Sequence, residues 1–186
     1  MIDKQKFFNT VKTNFNIKHL TKSQVAGIDA ILDHWEISTY TDLRWLAYML
    51  ATVFHETART MQPIEEYGKG KGKKYGEPDP ITKKVYYGRG YVQLTWKANY
   101  YTMGKILQID LVNKPELALD IPIAIKIMFE GMTTSASMRG DFTGKCLEQF
   151  FNNTTEDWIN ARKIINGLDC AKLIAEYGKK FLTCLQ

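Results

Sequence analysis

Apolar residues recur at helical spacing over most of this chain. Lys4 to Thr13 reads as a short amphipathic opening, and Thr21 or Ser23 can cap a helix carrying Val25, Ile28, Ile31, Leu32 and Trp35 at spacings of three and four. Thr41 can cap the next helix, from Asp42 to about Ala58. It repeats Leu46, Met49, Leu50, Val53 and Phe54 and is the most buried-looking segment of the chain. The pattern breaks from Gly68 to Gly90, where GKGKGKKYGEPDPITKKVYYGRG is too rich in Gly, Lys and Pro for a helix and predicts a long loop with room for a small hairpin. Helical patterning resumes at about Asn99 and again in IPIAIKIMFEGM, with Pro122 well placed in a first turn. Thr154 with Asp157 forms an imperfect capping box before WINARKIINGL, and Asp169 can cap CAKLIAEYGKKFLTCL. The pattern predicts one mainly α domain over residues 1–186 with a small β/loop element in its middle.

Composition narrows the field. With 186 residues, 45% of them hydrophobic, the chain can bury one substantial core. Its three cysteines, Cys146, Cys170 and Cys184, are widely spaced and read as reduced core thiols rather than a disulfide framework. With three histidines and no Cys cluster, a metal site is not expected. MIDKQKFFNTVKTNF has no uninterrupted apolar run, which predicts neither a signal peptide nor stable membrane insertion. A net charge of +5 is too small for a broad nucleic-acid surface, and GKGKGKK fits no phosphate-binding glycine pattern. That loop reads as a solvated lysine segment, with attraction to a polyanion as the second reading.

The chemistry concentrates in VFHETARTMQPIEEYG, Val53 to Gly68. Glu56 follows Val53 by three residues, so a helix sets it at the rim of the apolar face. Partial burial there without a cation favours the protonated form that a general acid needs. Glu65 and Glu66 follow in an expected turn, able to fold back across a cleft, and two carboxylates in different surroundings are the equipment of glycoside hydrolysis. His55 reads as a structural hydrogen-bonding residue. In YYGRGYVQLTWKANYYTMG, Tyr91, Gln93 and Thr95 alternate with Val92 and Leu94 as in a short strand with one polar face, suited to sugar hydroxyls. The aromatic residues Tyr86, Tyr87, Tyr91, Trp96, Tyr100 and Tyr101 divide between sugar stacking and core.

HET at His55 to Thr57 and GRGYVQLTWKANY at Gly88 to Tyr100 together resemble glycoside hydrolase family 19, the chitinases and the phage endolysins of lysozyme-like fold. ARKIINGLD at Ala161 to Asp169 is similar to the family's late I-N-G-G signature, and FEGMTTSASMRGDFTGKCLEQFF to the segment that precedes it in phage lysins. The resemblance runs from about Ala47 to the C-terminus. It implies Glu56 as general acid and a general base in QPIEEYG, where P-I-x-E favours Glu66 over Glu65. It further implies that Thr95 orients the attacking water and that Gln93, Asn99 and Asn166 contact sugar. Tyr91, Tyr87 and Arg89 complete the expected substrate-binding set. Leu168 stands where the chitinases have a second glycine, which leaves the backbone path there open.

The resemblance implies an endolysin-type, muramidase-like peptidoglycan hydrolase that cuts β-1,4 bonds with inversion, a geometry usual for carboxyls roughly 6.5–9.5 Å apart. No cofactor is required. The expected state is a monomer, held in the host bacterial cytoplasm until a membrane lesion releases it to the wall, with peptidoglycan strands as partner. A chitinase with the same residues is the nearest alternative. A lysozyme-like domain that only binds glycan is the alternative from another class.

Overall fold

The computed structural model describes residues 1–133 and 142–186. Among the described residues six α-helices carry the fold: α1 (Lys4–Asn14), α2 (Lys22–Glu36), α3 (Leu43–Glu56), α4 (Lys97–Leu107), α5 (Ile121–Thr133) and α6 (Ala171–Leu185). Two short strands, β1 (Ile64–Glu65) and β2 (Arg89–Gly90), pair antiparallel with Ile64 opposite Gly90 and Glu65 opposite Arg89. The mainly helical expectation holds. Part of FEGMTTSASMRGDFTGKCLEQFF, residues 134–141, lies outside the described residues.

Helix α3 runs through the middle. Every residue from Leu46 to Phe54 is buried, because α6 packs along it while α2 and α5 cover its other sides. At its C-terminal end Phe54 meets Phe15, Tyr177 and Phe181 in an aromatic cluster that ties α3 to α6. A helix apolar around its whole circumference is stable only inside such a shell, and its last residue is Glu56.

Several local expectations are corrected. Thr21, not Ser23, caps α2, in a reciprocal capping box with Gln24. Asp42 rather than Thr41 caps α3, accepting from the Arg44 N–H at 3.0 Å. The segment after Thr154 is a 3-10 turn, Asn160–Ile164, entered through Asp157, which accepts from the Asn160 N–H at 2.9 Å; Asn152 takes the Thr154 and Thr155 amides. Asp169 does not cap α6, whose N-cap is Cys170 in a left-handed conformation with φ 54°. Cys170 is exposed, so only Cys146 and Cys184 are core thiols. Among the described residues no helix is long and apolar enough to cross a membrane.

Candidate active site

The C-terminal end of α3 is fixed by a threonine. Thr57 is fully buried; its hydroxyl donates to the Val53 carbonyl at 2.7 Å and accepts from the Met61 N–H at 3.1 Å. Ala58, Arg59 and Met61 then adopt positive φ, which breaks the helix and turns the chain back beside it. This turn delivers β1. Glu65 and Glu66 therefore stand on a strand and its edge rather than in a turn, with the Glu66 N–H donating to the Gly88 carbonyl at 2.7 Å as a continuation of the ladder. Strand alternation sends the two side chains to opposite faces.

The two faces differ. Glu65 is enclosed by partners: the Tyr87 hydroxyl donates to it at 2.5 Å, Lys69 Nζ lies at 3.0 Å and Arg89 Nε at 3.6 Å. The Tyr87 hydrogen bond, then Lys69, holds its carboxyl below the usual range. Glu66 instead lines a cleft of about 450 Å³ and accepts from the Gly88 N–H at 3.1 Å and from the Tyr75 hydroxyl at 3.2 Å. Burial first, and then the Glu66 charge, push the Tyr75 hydroxyl up, so it stays a donor at neutral pH. Gly88 has no room for a side chain: a Cβ there would lie 2.8 Å from Gln93 Oε1 and 3.3 Å from Glu66 Cβ.

Glu56 lines the same cleft from the end of α3. Its expected surroundings without a cation are not what the fold provides, because Arg162 Nη1 donates to Glu56 Oε1 at 2.6 Å. The Arg162 side chain is 2% exposed, and its Nε donates to the Asp169 carbonyl at 2.9 Å. The guanidinium thus occupies one carboxylate oxygen of Glu56, and no second hydrogen bond to the Glu56 side chain is made among the described residues. Arg162 escaped the sequence reading, because in NARKI it stands beside Lys163 and nothing in the sequence marks which of the two basic residues is buried.

The cleft brings together Glu56, Glu66, Gln93, Thr95, Asn99 and Asn166. Asn166 reaches its rim because its N–H donates to the Arg162 carbonyl at 3.1 Å and Gly167 turns the chain at φ 42°. Leu168, where the second glycine was expected, is exposed and leaves this turn intact. The strand expected from Tyr91 to Thr95 is instead a tight turn closed by the Arg89 and Leu94 backbones, with Gln93 at φ 52°. Gln93 Nε2 donates to the carbonyls of Ile64 and Gly90 at 3.0 and 3.2 Å, so its amide also fastens this turn to the hairpin.

Four expected site residues, Glu65, Tyr87, Arg89 and Tyr91, lie away from the cleft. Tyr91 is fully buried, because the turn points its ring inward instead of along a polar strand face. Burial alone pushes its hydroxyl well up. Arg89 is buried behind the hairpin, its guanidinium 3.7 Å from the Tyr87 ring centroid and its Nη1 donating to the Tyr100 hydroxyl at 3.1 Å. With Tyr87 and Glu65 it forms a polar cluster that braces the strands. Tyr86 and Tyr100 also belong to the core, leaving Trp96 and Tyr101 as the exposed members of the aromatic set. His55 lines a separate shallow depression with Ala58 and Leu173.

The family model described as chitinase class I, glycoside hydrolase family 19, matches residues 50–161, more than half of the chain and the whole span from late α3 to the Arg162 turn. The chain belongs to glycoside hydrolase family 19. Among curated relatives of this family 19 chain, an acidic endochitinase of Beta vulgaris is 32% identical over 144 residues, 73% of this chain and 44% of the relative. An endochitinase of Arabidopsis thaliana is 38% identical over 80 residues, 42% of this chain and 28% of the relative. The matched regions thus span less than half the length of these relatives. The fold matches that of chitinase C from Streptomyces griseus with a TM-score of 0.58 at 23% identity, covering 99% of this chain and 92% of the other.

Proposed function

We propose that this family 19 chain is an endolysin-type hydrolase that cleaves β-1,4 glycosidic bonds of bacterial peptidoglycan with inversion. The observation that carries the reading is the pairing across one cleft of Glu56, anchored through one oxygen by Arg162, with Glu66, held by Gly88 and Tyr75. In this mechanism Glu56 protonates the leaving glycosidic oxygen while Glu66 takes a proton from a water that attacks the opposite face of the sugar. Thr95 orients that water, and Asn99 and Asn166, which line the same cleft, hold sugar. Charge develops on the ring in the transition state, and two carboxylates fixed on separate elements stabilise it without rearranging.

Family relatives are named chitinases, so the choice of glycan rests on the loop between Glu66 and Tyr75. Both of its ends line the cleft. Consecutive turns order it: the N–H groups of Lys69, Lys71, Lys73 and Gly76 donate to the carbonyls three residues back, and Gly70 packs against Gly76. Lys71, Lys73 and Lys74 are all exposed along it. A basic loop joined to the cleft at both ends favours a glycan whose lactyl-peptide branches bear carboxylates over uncharged chitin. Chitin hydrolysis with the same residues is the second reading, favoured by the endochitinase relatives. Incubation with purified peptidoglycan and separately with soluble chitin oligomers, followed by mass spectrometry of new reducing ends, decides between them. Reducing N-acetylmuramic acid supports the muramidase reading. Efficient chitin cleavage with intact peptidoglycan overturns it.

The accompanying reading of location is that the enzyme works from the host cytoplasm and reaches the wall through a membrane lesion. Cells expressing it should stay intact until the inner membrane is permeabilised, and rapid lysis without damage would overturn that reading.

A further inference from the structure

One wall of the cleft is not used by the acid and the base. Trp96, at the entrance to α4, lines the cleft with 48% of its surface exposed and has φ 68°. A bulky residue in that backbone region is strained and persists only where its surroundings hold it. Here the Trp96 N–H donates to the Tyr86 carbonyl at 3.0 Å, and the Trp96 carbonyl accepts from Asn99 and Tyr100 at 3.0 and 3.1 Å. The fold therefore sustains strain in keeping an indole out of the core. A lone exposed tryptophan is ordinary surface; one that is strained and braced inside a cleft is not.

The brace is Tyr75. Its ring meets the indole edge to face, centroids 5.4 Å apart and planes at 74°, and its hydroxyl donates to Glu66 Oε1 at 3.2 Å. An exposed aromatic face is thus joined through one ring contact and one hydrogen bond to the candidate base. Tyr75 is the one aromatic residue in a run otherwise made of Gly and Lys, and the loop turns described above return it to the cleft.

We propose that Trp96 is a stacking platform for a pyranose ring of the glycan, an N-acetylhexosamine presenting its apolar C–H face, and that Tyr75 is a positioning residue that ties this platform to Glu66. The proposal rests on the reading of Glu66 as base. Sugar stacked on the indole contributes to binding of ground and transition states alike, so loss of Trp96 weakens binding. The Tyr75 hydroxyl fixes the direction of the Glu66 carboxylate, so its loss slows turnover without weakening binding.

Four variants test this: Trp96→Ala, Trp96→Tyr, Tyr75→Phe and Glu66→Gln, each checked for an unchanged circular dichroism spectrum. Binding of N-acetylglucosamine oligomers is measured by calorimetry in a Glu56→Gln background, and turnover by reducing ends released from purified peptidoglycan and from the same oligomers. Trp96→Ala should weaken binding about tenfold, the scale of one aromatic contact, with Trp96→Tyr recovering most of it. Tyr75→Phe should bind as the parent does and lose about tenfold in turnover, the scale of one hydrogen bond to a charged group. Parental binding by Trp96→Ala overturns the platform, and parental turnover by Tyr75→Phe overturns the positioning role. Full turnover by Glu66→Gln instead removes the base assignment itself, whereas an inactive Glu66→Gln beside a fully active Tyr75→Phe removes only the link between them.

Discussion

Arg162 donates to Glu56 at 2.6 Å across 106 residues of sequence, joining the late 3-10 turn to the end of the central helix. The contact does two things at once. It gives a half-buried carboxylate a buried counter-charge, and it sets the turn from which Asn166 reaches the cleft. Breaking such a pair from one side leaves an uncompensated charge, at a cost of up to about 3–5 kcal/mol when both groups are deeply buried.

Arg162→Met should accordingly lower both stability and activity, by a smaller amount than that range because Glu56 keeps some contact with solvent. Arg162→Lys retains the charge but not the second donor to Asp169, and should recover more stability than activity. Thermal unfolding beside turnover checks both. A fully active Arg162→Met would remove the arginine from the account.

The two adjacent glutamates separate by mutation. Glu66→Gln should lose most activity, because no base then activates the water. Glu65→Gln should lose little turnover, since its side chain serves Tyr87, Lys69 and Arg89 behind the hairpin. The opposite ranking would put the base on the wrong strand face.

How much of this was legible in the sequence depends on the range of the interaction. Helices α2, α3 and α5 follow directly from apolar periodicity, and HET with GRGYVQLTWKANY marks the cleft. Arg162 and Tyr75 did not stand out because each acts through a partner that only the folded chain brings near, 106 and 9 residues away. Tyr91 was misplaced for a local reason. Alternation of Tyr91, Gln93 and Thr95 has the period of a strand, but Gln93 and Trp96 take positive φ, and a turn with that backbone sends Tyr91 inward. The lone capping candidates failed where a neighbour offered a better acceptor, as Asp42 does beside Thr41.

Gly88→Ala should lower activity while leaving the helical core folded. The added methyl meets the Gln93 amide and the Glu66 side chain, so Gln93 must release the hairpin carbonyls or Glu66 must shift. A drop in turnover with little change in melting temperature is the expected pair of readings; unchanged turnover would mean that the cleft floor yields freely.

Acid should loosen the middle of the chain first. Asp79 accepts from Lys97 Nζ at 2.8 Å and from the Thr82 N–H at 2.8 Å, and these partners, Lys97 foremost, hold its carboxyl well below the usual range; Glu65 is lowered too. Both pKa values are depressed in the folded state, so their stabilisation is complete above the ordinary carboxylate range of about 4 and is lost as pH falls through the lower folded values. Melting temperature should fall between about pH 4 and pH 2, and the double variant Glu65→Gln, Asp79→Asn should show a shallower fall. An equally steep fall in that variant would assign acid sensitivity elsewhere.

The central claim is that Glu56 and Glu66 hydrolyse a glycan across one cleft, and the most direct measurement is the rate at which the Glu56→Gln protein releases reducing ends from purified peptidoglycan. A glutamine at this position still offers an amide oxygen to Arg162, so the variant should fold with a modest loss of melting temperature. The account predicts a rate at least about a hundredfold below that of the parent, the share typical of a general acid. A folded Glu56→Gln protein that cleaves at the parental rate would contradict it.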